Sequence, residues 1–447
     1  MQKKIFKIFV GSASGFVGLI AVWIIGGNLL AAQQEKEINQ AWEQFAKQFP
    51  KTEANDSVLK LEALTAKLGF RLYNSGGLKS PSDSYADLDA TKADKQAYQA
   101  IGKELSAYIE ALIKNPNDAV VVPSENLRRY LASKASTLAA IRSHVLNNEV
   151  PNLEMNIDYL KEGDFSFVLP NLVGFVNLQK ILALDVLEKN RQGQTSEALA
   201  TLEVSWKINK ILRDQPELIP QLVALIVTDQ QLVVIRRLEN LPVQWQQRLL
   251  EHDYRKSILT ALQGEAFYSS ASIRQIDSFL PADIYFSSRI WWLLKLTSPI
   301  SRPYLRFSAI DTYQAPQRLY SQIPQQNFCS LDSGKSKLEA DTAWWNPIGQ
   351  VATPGLPNQW LKGGKRMLDL ELTQKILQVK ALAAKLGRWP ESVPNLESSI
   401  CPGEKWLYQV SSDGTMSLTF SKQLNSAKPQ KGRLTLPLTY NAKFTKL

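Results

Sequence analysis

A run of 25 uncharged residues, 8–32, follows a short tip that holds Lys3, Lys4 and Lys7 and no acid. As a helix rising 1.5 Å per residue it would be about 37 Å long, more than the ~30 Å hydrocarbon layer of a bilayer. A cleaved signal peptide has a shorter apolar region, roughly 7–15 residues, and small residues before the cut. Leu30-Ala31-Ala32 puts a bulky side chain where a small one belongs. An uncleaved transmembrane anchor is therefore expected, with a cleaved signal as the alternative. The lysines precede the span, which places the N-terminus in the cytoplasm and the remainder outside it. Gly11 with Gly15, and Ser14 with Gly18, form small-x-x-x-small pairs that would let two such helices approach closely as a homodimer. Gly15-Phe16 is not a prepilin processing junction, because Ile20 stands where that junction needs Glu.

No other stretch reads as long and apolar enough to cross a bilayer, which excludes a multi-pass transporter. The remaining ~415 residues are long enough for a large core without metal or disulfide staples. Two His and two Cys cannot build a His-rich metal site or a zinc ribbon. No phosphate loop, dinucleotide fingerprint or nucleophile elbow is present. No cofactor, metal or catalytic residue is therefore assigned. The net charge is +10, but an exported domain seldom meets nucleic acid, so none is expected as a partner.

Residues 33–140 alternate apolar positions with a helical period: Trp42, Phe45 and Phe49, then Val58, Leu61, Leu64 and Leu68. The pattern is clearest from 171 to 238. There, Leu172, Phe175, Leu178, Leu182 and Val186 line one helix, Gly193 sits in a short turn, and Ala198, Leu202 and Ile208 line the return. Such short links force antiparallel neighbours. Leu241-Pro242 is expected to open a long helix running to about Phe279. Residues 284–307 interleave Trp291, Trp292 and Tyr304 with Arg289, Lys295 and Arg306, and Pro299 and Pro303 are expected to break them. Arg289, Trp291, Trp292 and Lys295 could rest on an anionic membrane surface; core aromatics with solvated basic neighbours are the alternative.

The expected fold class is mainly α with a small C-terminal antiparallel β element (α+β): an N-terminal transmembrane helix followed by antiparallel helical hairpins. Four segments are expected: 1–32, cytoplasmic tip and anchor; 33–313, an exported helical domain; 314–364, a Gln-, Pro- and Gly-rich connector; and 365–447, a helix with a small β module. In the last, Leu368, Leu372, Ile376, Val379 and Leu382 line the helix and Gly387 caps it. Asp413-Gly414 turns a hairpin between Trp406–Val410 and Met416–Phe420, and Leu434, Leu436 and Leu438 supply a third strand at an edge beside Pro437.

At residues 380–421 a helix ends in Leu386-Gly387-Arg388-Trp389-Pro390 before a strand and the Asp413-Gly414 hairpin. This resembles the C-terminal part of the pseudopilins of type II secretion. The order of anchor, helical hairpins and pseudopilin-like end is similar to that of uncharacterised, membrane-anchored, mainly helical bacterial proteins. The resemblance implies a shared structural module at the bacterial cytoplasmic membrane and no activity that can be carried to any residue.

Cys329 and Cys401 could form a disulfide, which persists outside the cytoplasm and would give roughly 4 kcal/mol by chain entropy; two buried thiols are the alternative. His144 and His252 lack a neighbouring catalytic partner in sequence. Glu110, Glu154, Asp158, Glu265 and Asp277 lie in or near apolar helical patterns, but nothing in their spacing selects an acid–base pair. The function expected is that of a membrane-anchored scaffold or protein-interaction module, with the bilayer and an envelope protein as partners. A hydrolase using paired carboxylates and an accessory part of a secretion or pilus-like apparatus are the alternatives.

Overall fold

In the computed structural model the uncharged run is the first part of a helix that does not stop where the run stops. The structure describes residues 2–72, 90–115, 117, 121–164, 170–239, 241–275, 288–323, 327–332, 341–352, 355–425 and 436–444, with side chains described from residue 15 and, in the helix that starts at 288, from residue 298. Helix α1 spans Gln2–Ala46. Residues 33–46 contain strong helix formers and neither Gly nor Pro, so nothing ends the helix before the chain nears Pro50. From Ala31 onward its inner face is buried: Ile38, Trp42 and Phe45 pack with Phe267 and Tyr313.

The centre of the fold is an antiparallel layer of α7 (Leu172–Arg191), α8 (Thr195–Arg213) and α9 (Leu218–Arg237). Gly193 joins the first two with φ +76°, a left-handed conformation that favours glycine. Around this layer lie α2 (Asp56–Ala66), α3 (Lys92–Lys114), α4 (Glu125–Ser133), α5 (Ala135–Asn147) and the short α6 (Asp158–Glu162). Helix α9 corrects the reading that only one stretch suits a membrane. It passes the same length and composition test, but it is a core helix, because 72% of its apolar window is buried within the protein.

The long helix expected from Leu241 to Phe279 is two helices, α10 (Gln244–Arg248) and α11 (Tyr254–Arg274). The break has a local cause. The Asp253 carboxylate accepts the Arg255 and Lys256 backbone N–H groups and so starts a new helix. The next helix, α12 (Ser288–Gln322), runs through Pro299, Pro303 and Pro316, so the expected break there does not occur. Packing on α1 and α11 offsets the hydrogen bonds that the prolines remove.

The connector expected at 314–364 is also largely helical. It contains the end of α12, α13 (Phe328–Asp332), α14 (Pro347–Ala352) and the start of α15 (Leu356–Leu386). Gly363 and Gly364 lie inside α15. A Cβ on Gly363 would stand 2.9 Å from the Tyr254 carbonyl oxygen, and one on Gly364 would collide with the Phe328 ring. These glycines serve close approach between helices, not chain reversal. Gly387 ends α15 with φ +67°.

The C-terminal sheet has the order β1 (Trp406–Val410), β2 (Thr415–Phe420), β3 (Thr439–Lys443), all antiparallel. The register pairs Trp406 with Phe420 and Leu418 with Tyr440. The third strand therefore starts after Pro437, which has no N–H to donate, and Leu436 and Leu438 form its buried lead-in. The sheet shares one core with the helices: Trp406, Leu418 and Tyr440 belong to the same apolar cluster as α7–α9. Glu371, fully buried on α15, accepts from Trp406 Nε1 at 3.0 Å, Ser398 Oγ at 2.6 Å and the Ser399 N–H at 2.6 Å. Cys329 on α13 and Cys401 are joined by a disulfide, with Cα atoms 5.8 Å apart.

Candidate functional site

Helices α9 and α15 lie side by side and parallel, as two contacts show. Asp229 meets Arg366, and seven residues later Arg236 donates to the Asp369 carbonyl at 3.0 Å and to Thr373 Oγ1 at 2.9 Å. Arg366 holds both Asp229 oxygens, one at 2.6 Å, and also reaches Asp369 at 3.3 Å. Lys365 Nζ donates to both Asp369 oxygens, at 2.6 and 2.8 Å, and to the Leu436 carbonyl at 2.5 Å. All five charged side chains are nearly or wholly buried. Burial works against the Arg366 charge, but Asp229 and Asp369 outweigh it and raise its pKa. Burial also pulls Arg236 down to about 10, against the field of the same two carboxylates.

This network floors a cavity of about 640 Å³ between α3, α7, α9 and α15. That volume suits a small ligand. Along α9 the lining changes character with direction: Leu222, Leu225 and Ile226 come first, then Asp229 and Gln230. Along α15, Asn358, Leu361 and Lys362 precede Lys365, Arg366 and Asp369. Because the two helices are parallel, the cavity has one end where α9 is apolar and α15 presents Leu361 between Asn358 and Lys362, and one charged end. Lys180 on α7 also lines it, with its ammonium donating to Ser106 Oγ on α3 at 2.9 Å. Burial lowers the Lys180 pKa, against the pull of Glu110. Gln230 Oε1 and Arg366 Nε, both buried beneath the lining, have no hydrogen-bond partner among the described residues.

The second feature is the clamp between α1 and α12. Trp23 Nε1 donates to the Ile300 carbonyl at 2.8 Å, and Gly27 leaves room for Pro303. Arg306 holds Glu35 at 2.8 and 2.6 Å and Asn28 Oδ1 at 2.8 Å. On the N-terminal side of this clamp α1 is bare: Phe16 is 64% exposed, Leu19 70%, Val22 70% and Leu29 68%.

The residues singled out from sequence are spread over these features. Gly15 and Gly18 are open, with no atom within 4 Å of an added Cβ. Gly11 and Ser14 lie in α1, and Arg289, Trp291, Trp292 and Lys295 in α12, with their side chains outside the described residues. Of the carboxylates, Glu110 reaches the cavity and pairs with Lys114 at 3.7 Å. Glu265 and Glu217 both act on Tyr159, whose Oη donates to Glu217 at 3.1 Å, and burial raises the pKa of both acids. Asp277 lies outside the described residues. His144 bonds to Ser57, while His252 stacks edge-on to Tyr254 at 4.6 Å and is pushed by burial down to about 4.

The residues that floor the cavity were not singled out from sequence. Lys365, Arg366 and Asp369 read there as one polar stripe of an amphipathic helix, and their partner Asp229 stands 137 residues before Arg366. Comparison of the chain with protein-family models, with curated proteins and with solved structures found no match in any of the three, so the pseudopilin likeness gains no support there.

Proposed function

We propose that this protein is a single-span, membrane-anchored module of the bacterial cytoplasmic membrane, whose exported helical domain binds partners at the cell envelope. The observation that carries the reading is α1. One half of it is apolar and exposed, and the other half is built without interruption into the core. Exposed apolar side chains over residues 16–30 are costly in water and favourable in lipid. The Cys329–Cys401 disulfide supports an oxidising compartment for the domain.

Carbonate extraction of membranes from expressing cells tests the reading, together with a fluorescent protein or alkaline phosphatase fused after Leu447. The full chain is expected in the carbonate-resistant fraction, a chain lacking residues 1–32 in the soluble fraction, and the phosphatase alone active. A carbonate-soluble full chain, or a reporter active only in the cytoplasm, overturns it.

A further inference from the structure

The cavity has a charged end that includes Lys180 and, along α9, an apolar wall at the other end. Gln179, beside Lys180, and Gln231, beside Gln230, both donate to the Ser205 carbonyl, at 3.1 and 2.9 Å. This places Lys180 at the same level as Gln230, which is the charged end. Among the described residues no carboxylate lies within 4 Å of the Lys180 ammonium, whereas Lys365 and Arg366 are already matched by Asp369 and Asp229. The end therefore offers the Lys180 ammonium, held only by the Ser106 hydroxyl, as a positive charge without an ion-pair partner. A half-buried charge of this kind carries a desolvation cost that an anion would offset. Glu110 and Asp332 also line the cavity and would repel a second negative charge.

We infer that this cavity binds a small amphipathic monoanion, a medium-chain carboxylate, with its head on the Lys180 ammonium and its alkyl chain against Leu222, Leu225, Ile226 and Leu361. A single negative charge matches the Lys180 ammonium, and the chain occupies the end where α9 turns apolar and α15 presents Leu361. The inference is independent of the anchor: it concerns the exported domain alone and has its own measurement.

The test is equilibrium dialysis of labelled octanoate against the full chain in nanodiscs, with empty nanodiscs as the blank. Octanol and octyltrimethylammonium serve as neutral and cationic competitors. Saturable one-to-one binding of octanoate is expected, displaced weakly by octanol and not by the cation. Lys180→Met is expected to weaken octanoate about tenfold, the loss of one charge-assisted bond, while leaving octanol unchanged. Ile226→Trp, at a position already 49% exposed and so tolerant of a larger side chain, is expected to abolish both. No saturable binding above the blank overturns the inference. So does octanoate binding that Lys180→Met leaves unchanged, or displacement by the cation as strong as by octanol.

Discussion

Among the described residues, two helices are long and apolar enough to cross a membrane, and the fold treats them in opposite ways. The apolar window of α1 is 11% buried, while that of α9 is 72% buried. The difference lies in the polar residues each carries and where those find partners. The uncharged run of α1 offers Asn28 near its far end, where Arg306 meets it. Helix α9 carries Asp229, Gln231 and Arg236 in its second half, each satisfied by a neighbouring helix. Lipid supplies none of these partners, so α9 belongs inside the protein. Hydropathy alone does not separate the two helices, whereas the destination of their polar groups does.

A charge placed in each helix breaks the comparison most sharply. Val233→Lys puts an ammonium at a site only 1% exposed, where the carboxylate one turn away, Asp229, is already held by Arg366. A loss of several kcal/mol is expected, read as the absence of a cooperative thermal transition by circular dichroism. Leu19→Lys puts the same charge on the bare part of α1. It is expected to cost about 3 kcal/mol of insertion and to release the chain from carbonate-washed membranes, while leaving the transition temperature of the domain unchanged. Equal effects from the two would erase the distinction.

Asp229→Leu asks how much of the burial of α9 depends on its ion pair. Arg366 would keep only its longer bond to Asp369, and a loss of about 3 kcal/mol is expected in urea unfolding. Adding Arg366→Met is expected to recover most of it, because the pair is then replaced by packed apolar groups.

Arg306→Ala addresses the side of α1 that does enter the protein. Its bonds to Glu35 and Asn28 are only partly buried, so about 1–2 kcal/mol is expected. Helix α1 should also become cleavable by protease just after residue 32.

The smallest effect concerns the N-cap of α9. Burial raises the pKa of Glu217, so its charged form is penalised in the folded state. Such a group contributes stability at low pH and loses it as pH rises through the folded pKa. Glu217→Gln is expected to melt close to the parent at acid pH and above it at alkaline pH. Parallel pH profiles for the two would remove Glu217 from the account.

Much of the architecture was legible in the residues. The 25-residue uncharged run announces α1, Gly193 and Gly387 mark a turn and a helix end with positive φ, and the alternation of Met416, Leu418 and Phe420 marks a strand. What was not legible had two causes. Local capping competes with periodicity, so Asp253 divides what reads as a single helix. Tertiary packing also overrides local punctuation: Pro299 and Pro303 remain inside α12, and Gly363 and Gly364 inside α15, because neighbouring helices hold them. The cavity floor was hidden for the second reason. A charged stripe on a helix reads as a solvated face until a distant segment, here α9, is known to cover it.

One bond of the core bears on the order in which the chain can fold. The carbonyl of Arg236 on α9 accepts from Tyr440 Oη, a residue synthesised 204 positions later. At ~5–20 residues per second, about 10–40 s separate the emergence of the two. Asp229 lacks its arginine and the floor of the cavity stays open until Arg366 is made, 137 residues later, and the sheet stays incomplete to the end of the interval. The chain must pass its apolar helices to their destination in an unfinished state, and closure of the core becomes a final event, triggered by the arrival of the last strand.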